Sequence, residues 1–148
     1  MGLFKRKEVD TILLGRVTKN ISNAKAVLVI AISRFARLFR KVAARKDLNE
    51  AERENARKNA ERCAVIVGYL KNGNSSFDLR RYILTKELDE INVIRMEPKD
   101  KKEFYFLMKE YYENFSYLID LYDAASRITG IRADKLNLKM LMDIIKNY

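Results

Sequence analysis

The sequence predicts an all-α fold, a helical bundle that opens with a long N-terminal helical hairpin and counts about five helices. Three observations predict it. Leu14, Ile21, Leu28, Phe35 and Val42 recur every seven residues, with Val17, Ala24, Ala31 and Leu38 interleaved, a period that places them all on one helix face. The strongest backbone breakers, Pro98 and Gly130, bracket another apolar-periodic stretch instead of interrupting it. No segment shows the alternation of apolar and polar residues that marks a strand, and neither an internal repeat nor a low-complexity linker divides the chain.

The heptad seam predicts a first helix from about Val9 to Lys46, roughly 55 Å long at about 1.5 Å per residue. Asp47, with Glu50 three residues on, reads as a capping box that starts a second helix, and Asn72-Gly73 reads as its left-handed end. The apolar face of that helix is Ala56, Ala60, Cys63, Val67 and Leu70. Its small residues let it lie close against the first helix and complete a hairpin. Ser75 or Ser76 then caps a third helix, Phe77 to about Ile94, with Leu84, Leu88 and Ile91 on one side. Pro98 suits the first turn of a fourth helix that runs to Thr129, with an inward stripe of Phe104, Met108, Tyr111, Phe115, Leu118, Tyr122 and Ala125; Gly130 stops it. A short fifth helix is expected from Asp134 to Asn147. The elements form one domain, residues 1–148, made of a basic helical hairpin (1–73) and an aromatic-rich helical half (74–148), long enough to bury a real core.

Charge divides the chain unevenly. The net charge is +10, and all of the surplus lies in residues 1–46, where twelve Lys and Arg face only Glu8 and Asp10; the remaining residues hold eighteen of each sign. One end is therefore built to meet something anionic. Arg16, Lys19, Asn23, Ala26, Ile30, Arg34, Arg37 and Lys41 fall on one line down the first helix, opposite the heptad seam, with Arg40 and Arg45 beside it. Between Lys19 and Lys46 this helix carries no acid. A solvated face normally mixes signs, as the second helix does with Glu54/Lys58 and Arg57/Glu61. An unmixed stripe of this kind attracts a phosphate backbone through counterion release, and arginine grips phosphate oxygens in a bidentate fork. Lys5, Arg6 and Lys7 add charge at the N-terminus. The expected nucleic-acid-binding residues are thus Lys5, Arg6, Lys7, Arg16, Lys19, Arg34, Arg37, Arg40, Lys41 and Arg45.

Two apolar features accompany the stripe. Ala26 to Ile32 is apolar around the whole helix circumference, which predicts burial on all sides. The neighbouring Arg34–Lys41 segment would suit an anionic lipid interface with Phe35, Leu38 and Phe39 inserted, but the heptad seam runs through these residues and assigns them to the core. In the fourth helix, eight of the fifteen aromatic residues lie between positions 104 and 122. Phe106 and Tyr117 project away from the inward stripe, Tyr105 and Tyr112 also lie outside it, and these four form the expected oligomer interface. From Ala124 through Gly130 and Ile131 to Leu136 and Met140, the spacing resembles a helix-turn-helix. Asp134, Leu138, Met142 and Asp143, however, stand where a groove-reading helix would carry basic or amide groups.

Absences exclude much chemistry. With no histidine and one cysteine, Cys63, the chain cannot assemble a zinc site or a Cys/His nucleophile pair, and its five scattered glycines form no phosphate-cradling loop. The carboxylate pairs Glu87/Glu90 and Glu110/Glu113 sit at helical spacing among lysines, as solvated faces do. The expectation is no enzyme, no metal, no cofactor and no small-molecule substrate. The longest apolar run is seven residues, where a spanning helix needs about twenty. The N-terminal MGLFKRK lacks the apolar stretch and cleavage site of a signal peptide, and Arg6 breaks the myristoylation pattern. An intracellular protein, cytoplasmic or virion-internal and not secreted, is expected. Together these features predict a non-enzymatic structural protein that binds DNA or RNA and assembles with itself, as a viral or chromosomal nucleoprotein or a helical capsid subunit coating a genome. The alternatives are a peripheral membrane-remodelling protein of basic helical-hairpin type on anionic lipid, and a dimeric helix-turn-helix transcription regulator.

Overall fold

The structure is a computed structural model that describes residues 8–78 and 94–147, and among these it is all-α. Helix α1 spans Thr11–Ala43, α2 Glu50–Lys71, α3 Pro98–Thr129 and α4 Leu138–Asn147, with a 3-10 turn at Ala133–Lys135. The helix expected between Phe77 and Ile94 falls on residues outside the described ones, apart from its first two positions, Phe77 and Asp78, and its last, Ile94, which is helical. Of these, Phe77 is not helical and gives its N–H to the Leu136 carbonyl at 3.1 Å.

Helix α1 begins where Asp10 accepts a hydrogen bond from the Leu13 N–H at 3.0 Å, and it ends three residues before Lys46. Its last turn tightens: the Arg45 N–H donates to Val42 O instead of the carbonyl four residues back. Helix α2 is capped by Asn49, whose Oδ1 accepts from the Glu52 N–H at 2.8 Å, and not by Asp47. The cause is competition, because both Asp47 carboxylate oxygens are held by the Arg45 guanidinium at 3.0 and 2.6 Å. Nor does α2 end in a left-handed residue. Asn72 is extended (φ −83°), and its side chain accepts from the Asn74 N–H at 2.9 Å, closing a turn that needs no positive φ. Gly130 alone among the described residues has one, at φ 75°, and it ends α3 as expected.

Helix α1 is the hub on which α2, α3 and α4 all pack. Every seam residue from Leu14 to Val42 is buried, as are Val17, Ala24, Ala31 and Leu38. Phe35 meets Phe104 of α3 edge-on with ring centroids 5.1 Å apart, and Phe39 meets the same ring at 6.2 Å. From α2, Ala56, Ala60, Cys63, Ile66 and Leu70 enter the core; Ile66 takes the place expected for Val67, which is half-buried. The buried side of α3 is also rotated from expectation. Leu107 and Leu121 are buried while Met108 and Phe115 are half-buried, because α3 turns its Leu107/Leu121 side toward α1.

The C-terminal corner is not a helix-turn-helix. Eight residues, 130–137, separate α3 from α4, whereas that motif joins its helices by three or four. Helix α4 starts at Leu138 and not at Asp134, capped by Asn137, whose Oδ1 accepts from the Met140 N–H at 2.7 Å. The corner is tied instead to the segment after α2. Lys139 donates to Gly73 O at 3.1 Å, and Phe77 stacks on Tyr122 at 4.2 Å.

Candidate anion-binding face

Helix α1 buries one side against its neighbours and leaves the other to solvent, and all the basic stripe residues between Arg16 and Lys41 are exposed. They are not equivalent. Lys41 Nζ lies 3.2 Å from Asp100 Oδ1, and Asp100 is only 5% exposed, so this pair holds a buried carboxylate and is part of the fold. Arg37 reaches Glu103 at 3.5 Å. Arg45 binds Asp47, approaches Glu97 at 3.9 Å and donates to the Arg95 carbonyl. Arg37, Lys41 and Arg45 are thus ion-paired, and their acids come from the α1–α2 turn, from α3 and from the residues just before it. For Arg37 and Lys41 those acids lie far along the chain, where helical spacing cannot reveal them. Arg16, Lys19, Arg34 and Arg40 remain, and no carboxylate among the described residues pairs with any of them. Lys5, Arg6 and Lys7 lie outside the described residues.

The stripe is interrupted by apolar residues. Leu28, Ala31 and Ile32 are buried, but Ala26, Val27 and Ile30 are exposed, Ile30 by 55%, so the expected burial of this run on all sides is corrected. Three helices pack on one side of α1 and none of the described ones crosses the other. Near the N-terminus of α1, Ile12 and Leu13 are exposed as well.

The four outer aromatic residues of α3 are all exposed, but they do not form one patch. At about 100° per residue, Tyr105 and Tyr112 lie on one flank of the helix and Phe106 and Tyr117 on the other, with Lys102, Lys109, Glu113 and Asp120 on the ridge between. The Phe106/Tyr117 flank is the one that borders the outer face of α1. Glu103, which reaches Arg37, precedes Phe106, Glu110 and Tyr117 along the same line of the helix.

Two polar side chains on the inner face of α1 escaped the sequence reading. Lys25 is 4% exposed and its Nζ has no hydrogen-bond partner among the described residues; Thr18, seven residues earlier on the same side, has a buried Oγ1 that is likewise unpartnered among them. Their places beside Leu14, Ile21, Leu28 and Ile32 on the helix wheel carried the signal. Burial lowers the pKa of Lys25 and pushes the Cys63 thiol up to about 12, which leaves the thiol inert. A cleft of about 810 Å³ between residues 74–78, α3 and the 3-10 turn is lined by Asp78, Asp123 and Asp134 against Lys135 alone, a net sign opposite to that of the α1 face. No group of acids or thiols among the described residues could hold a metal ion, and none of the described helices is long and apolar enough to cross a membrane. Comparison with protein-family models, with curated proteins and with solved structures finds no match.

Proposed function

We propose that the protein is a non-enzymatic nucleic-acid-binding protein, a coat or nucleoprotein subunit that meets DNA or RNA with the outer face of α1 and meets its own copies through the Tyr105/Tyr112 flank of α3. One observation carries the reading: Arg16, Lys19, Arg34 and Arg40 are exposed on a single helix and have no acidic partner among the described residues. Unpaired arginines and lysines in a row pay little desolvation on meeting phosphates, and each contact releases a condensed counterion. The ion-paired Arg37 and Lys41 contribute field more than contact. A second reading, an anionic membrane surface, is favoured by Ile12, Leu13, Val27 and Ile30, which would enter the interface while the same cations meet lipid headgroups.

Reversal of three of these four charges tests the proposal. The triple variant Arg16→Glu, Lys19→Glu, Arg34→Glu is expected to keep its helical circular dichroism and to lose more than about tenfold in affinity for DNA and RNA at about 0.1 M salt, whatever the base sequence. Unchanged affinity would overturn the assignment of the face. Wild-type protein that floats with phosphatidylserine vesicles and ignores nucleic acid would replace it with the membrane reading.

A further inference from the structure

The two surfaces that the sequence separates, a basic helix for the ligand and an aromatic helix for assembly, meet along the α1–α3 seam. The ion pairs Lys41–Asp100 and Arg37–Glu103 fix α1 and α3 as antiparallel and set their register. Carried along two antiparallel helices at about 1.5 Å per residue, that register sets Phe106 level with Arg34 and Tyr117 level with Asn23, with Ile30 and Val27 at the heights between them. Phe106 is 56% and Tyr117 46% exposed. In that register the exposed Val27, Ile30, Phe106 and Tyr117 fall between Arg34 toward one end of α1 and Lys19 and Arg16 toward the other.

We infer that the partner is single-stranded nucleic acid, whose bases stack on Phe106 and Tyr117 while Arg34, Lys19 and Arg16 hold its phosphates. The inference rests on the nucleic-acid reading above and narrows it. In a duplex the base faces are already stacked, so rings beside the cation row have nothing to bind and the aliphatic centre would face hydrated phosphate. A single strand offers both the charge and the free base faces. Phe106 and Tyr117 are about 16 Å apart along α3 at about 1.5 Å per residue, within the reach of the roughly 4 to 16 nucleotides that one single-strand-binding domain covers. Glu110 lies between the rings on the same flank. A carboxylate there can accept hydrogen bonds from base N–H groups, the thymine imide as well as the amino groups of the other bases, whereas it would repel a continuous layer of anionic headgroups. Stacking and backbone contact together predict binding that tolerates any sequence.

The test compares wild-type protein with the Phe106→Ala, Tyr117→Ala double variant, using fluorescence anisotropy on labelled oligothymidylate and on a duplex of the same length. Both rings are about half exposed, so circular dichroism is expected to show an intact fold. Wild-type protein is expected to bind the single strand more tightly than the duplex. The double variant is expected to lose about tenfold per ring on the single strand and nothing on the duplex. Tyr117→Phe should keep the single-strand affinity. The chain has no tryptophan, so tyrosine emission can be read directly, and its quenching by the single strand should shrink in Tyr117→Ala. Equal affinities for the two nucleic acids, unchanged in the double variant, would overturn this inference and leave α1 as a duplex-compatible face. A double variant that becomes monomeric, or loses phosphatidylserine vesicles, while keeping its single-strand affinity would also overturn it. A wild-type protein that binds neither nucleic acid would remove the parent reading.

Discussion

Lys25 projects from the buried side of α1 with no partner for its amine among the described residues, a costly choice for a core position. An ammonium out of water with no counter-charge is costly, so burial holds its pKa below the ordinary lysine value. The folded pKa therefore lies below the unfolded one, and between the two the unfolded chain binds more protons. Stability must rise with pH across that window and level off above the unfolded pKa of about 10.4. Lys25→Met keeps the length of the chain and removes the charge. It is expected to raise the melting temperature at pH 7, by about 2–4 °C for each kcal/mol gained, and to abolish the rise of stability toward pH 10. An unchanged melting temperature with the same pH profile would mean that the amine is solvated or paired.

At the scale of elements, what the sequence makes legible is what local chemistry decides. The heptad from Leu14 to Val42 reports the buried side of α1 correctly because a period of seven on a helix leaves few other faces. Pro98 and Gly130 bound α3 where they should, since one fixes φ and the other permits a positive one. Where two side chains compete, the sequence is ambiguous. Asp47 and Asn49 are both good caps, and only the fold shows that Arg45 occupies the first. Partners from distant elements are hidden altogether. Arg37 and Lys41 look unpaired because Glu103 and Asp100 lie on α3, and the pairing of the Phe106 flank with the α1 stripe follows from a register that no local pattern contains. The seam itself is testable. Phe35 is buried against Phe39 and Phe104, so Phe35→Ala is expected to cost about 3–5 kcal/mol in urea unfolding. An unchanged midpoint would remove Phe35 from the core and return it to the surface, where a lipid-inserting role would become tenable.

For the whole molecule, the organisation follows from one helix serving two ends. Helix α1 is buried on one side against three others, and the opposite side, which faces solvent, carries Arg16, Lys19, Arg34, Arg37, Arg40 and Lys41, so the described cations of α1 other than Lys25 are concentrated on one surface. Tyr105 and Tyr112 lie on the flank of α3 away from that surface, which leaves them free to contact another copy while the cations contact a ligand. Burial of an aromatic side chain is worth about 1.5–3 kcal/mol. Tyr105→Glu with Tyr112→Glu is therefore expected to turn a self-associating protein into a monomer by light scattering, with nucleic-acid affinity per subunit retained and cooperativity lost. A wild type that stays monomeric at high concentration, alone and on nucleic acid, would leave that flank without a role in assembly. The central claim, that unpaired cations on α1 contact phosphates, is tested most directly by the salt dependence of binding. The logarithm of the binding constant is expected to fall linearly with the logarithm of salt concentration, and the Arg16, Lys19, Arg34 triple reversal is expected to flatten that line by about 2 to 3 units, near 0.7 to 0.9 per lost phosphate contact. A triple variant that binds with the wild-type slope would contradict it.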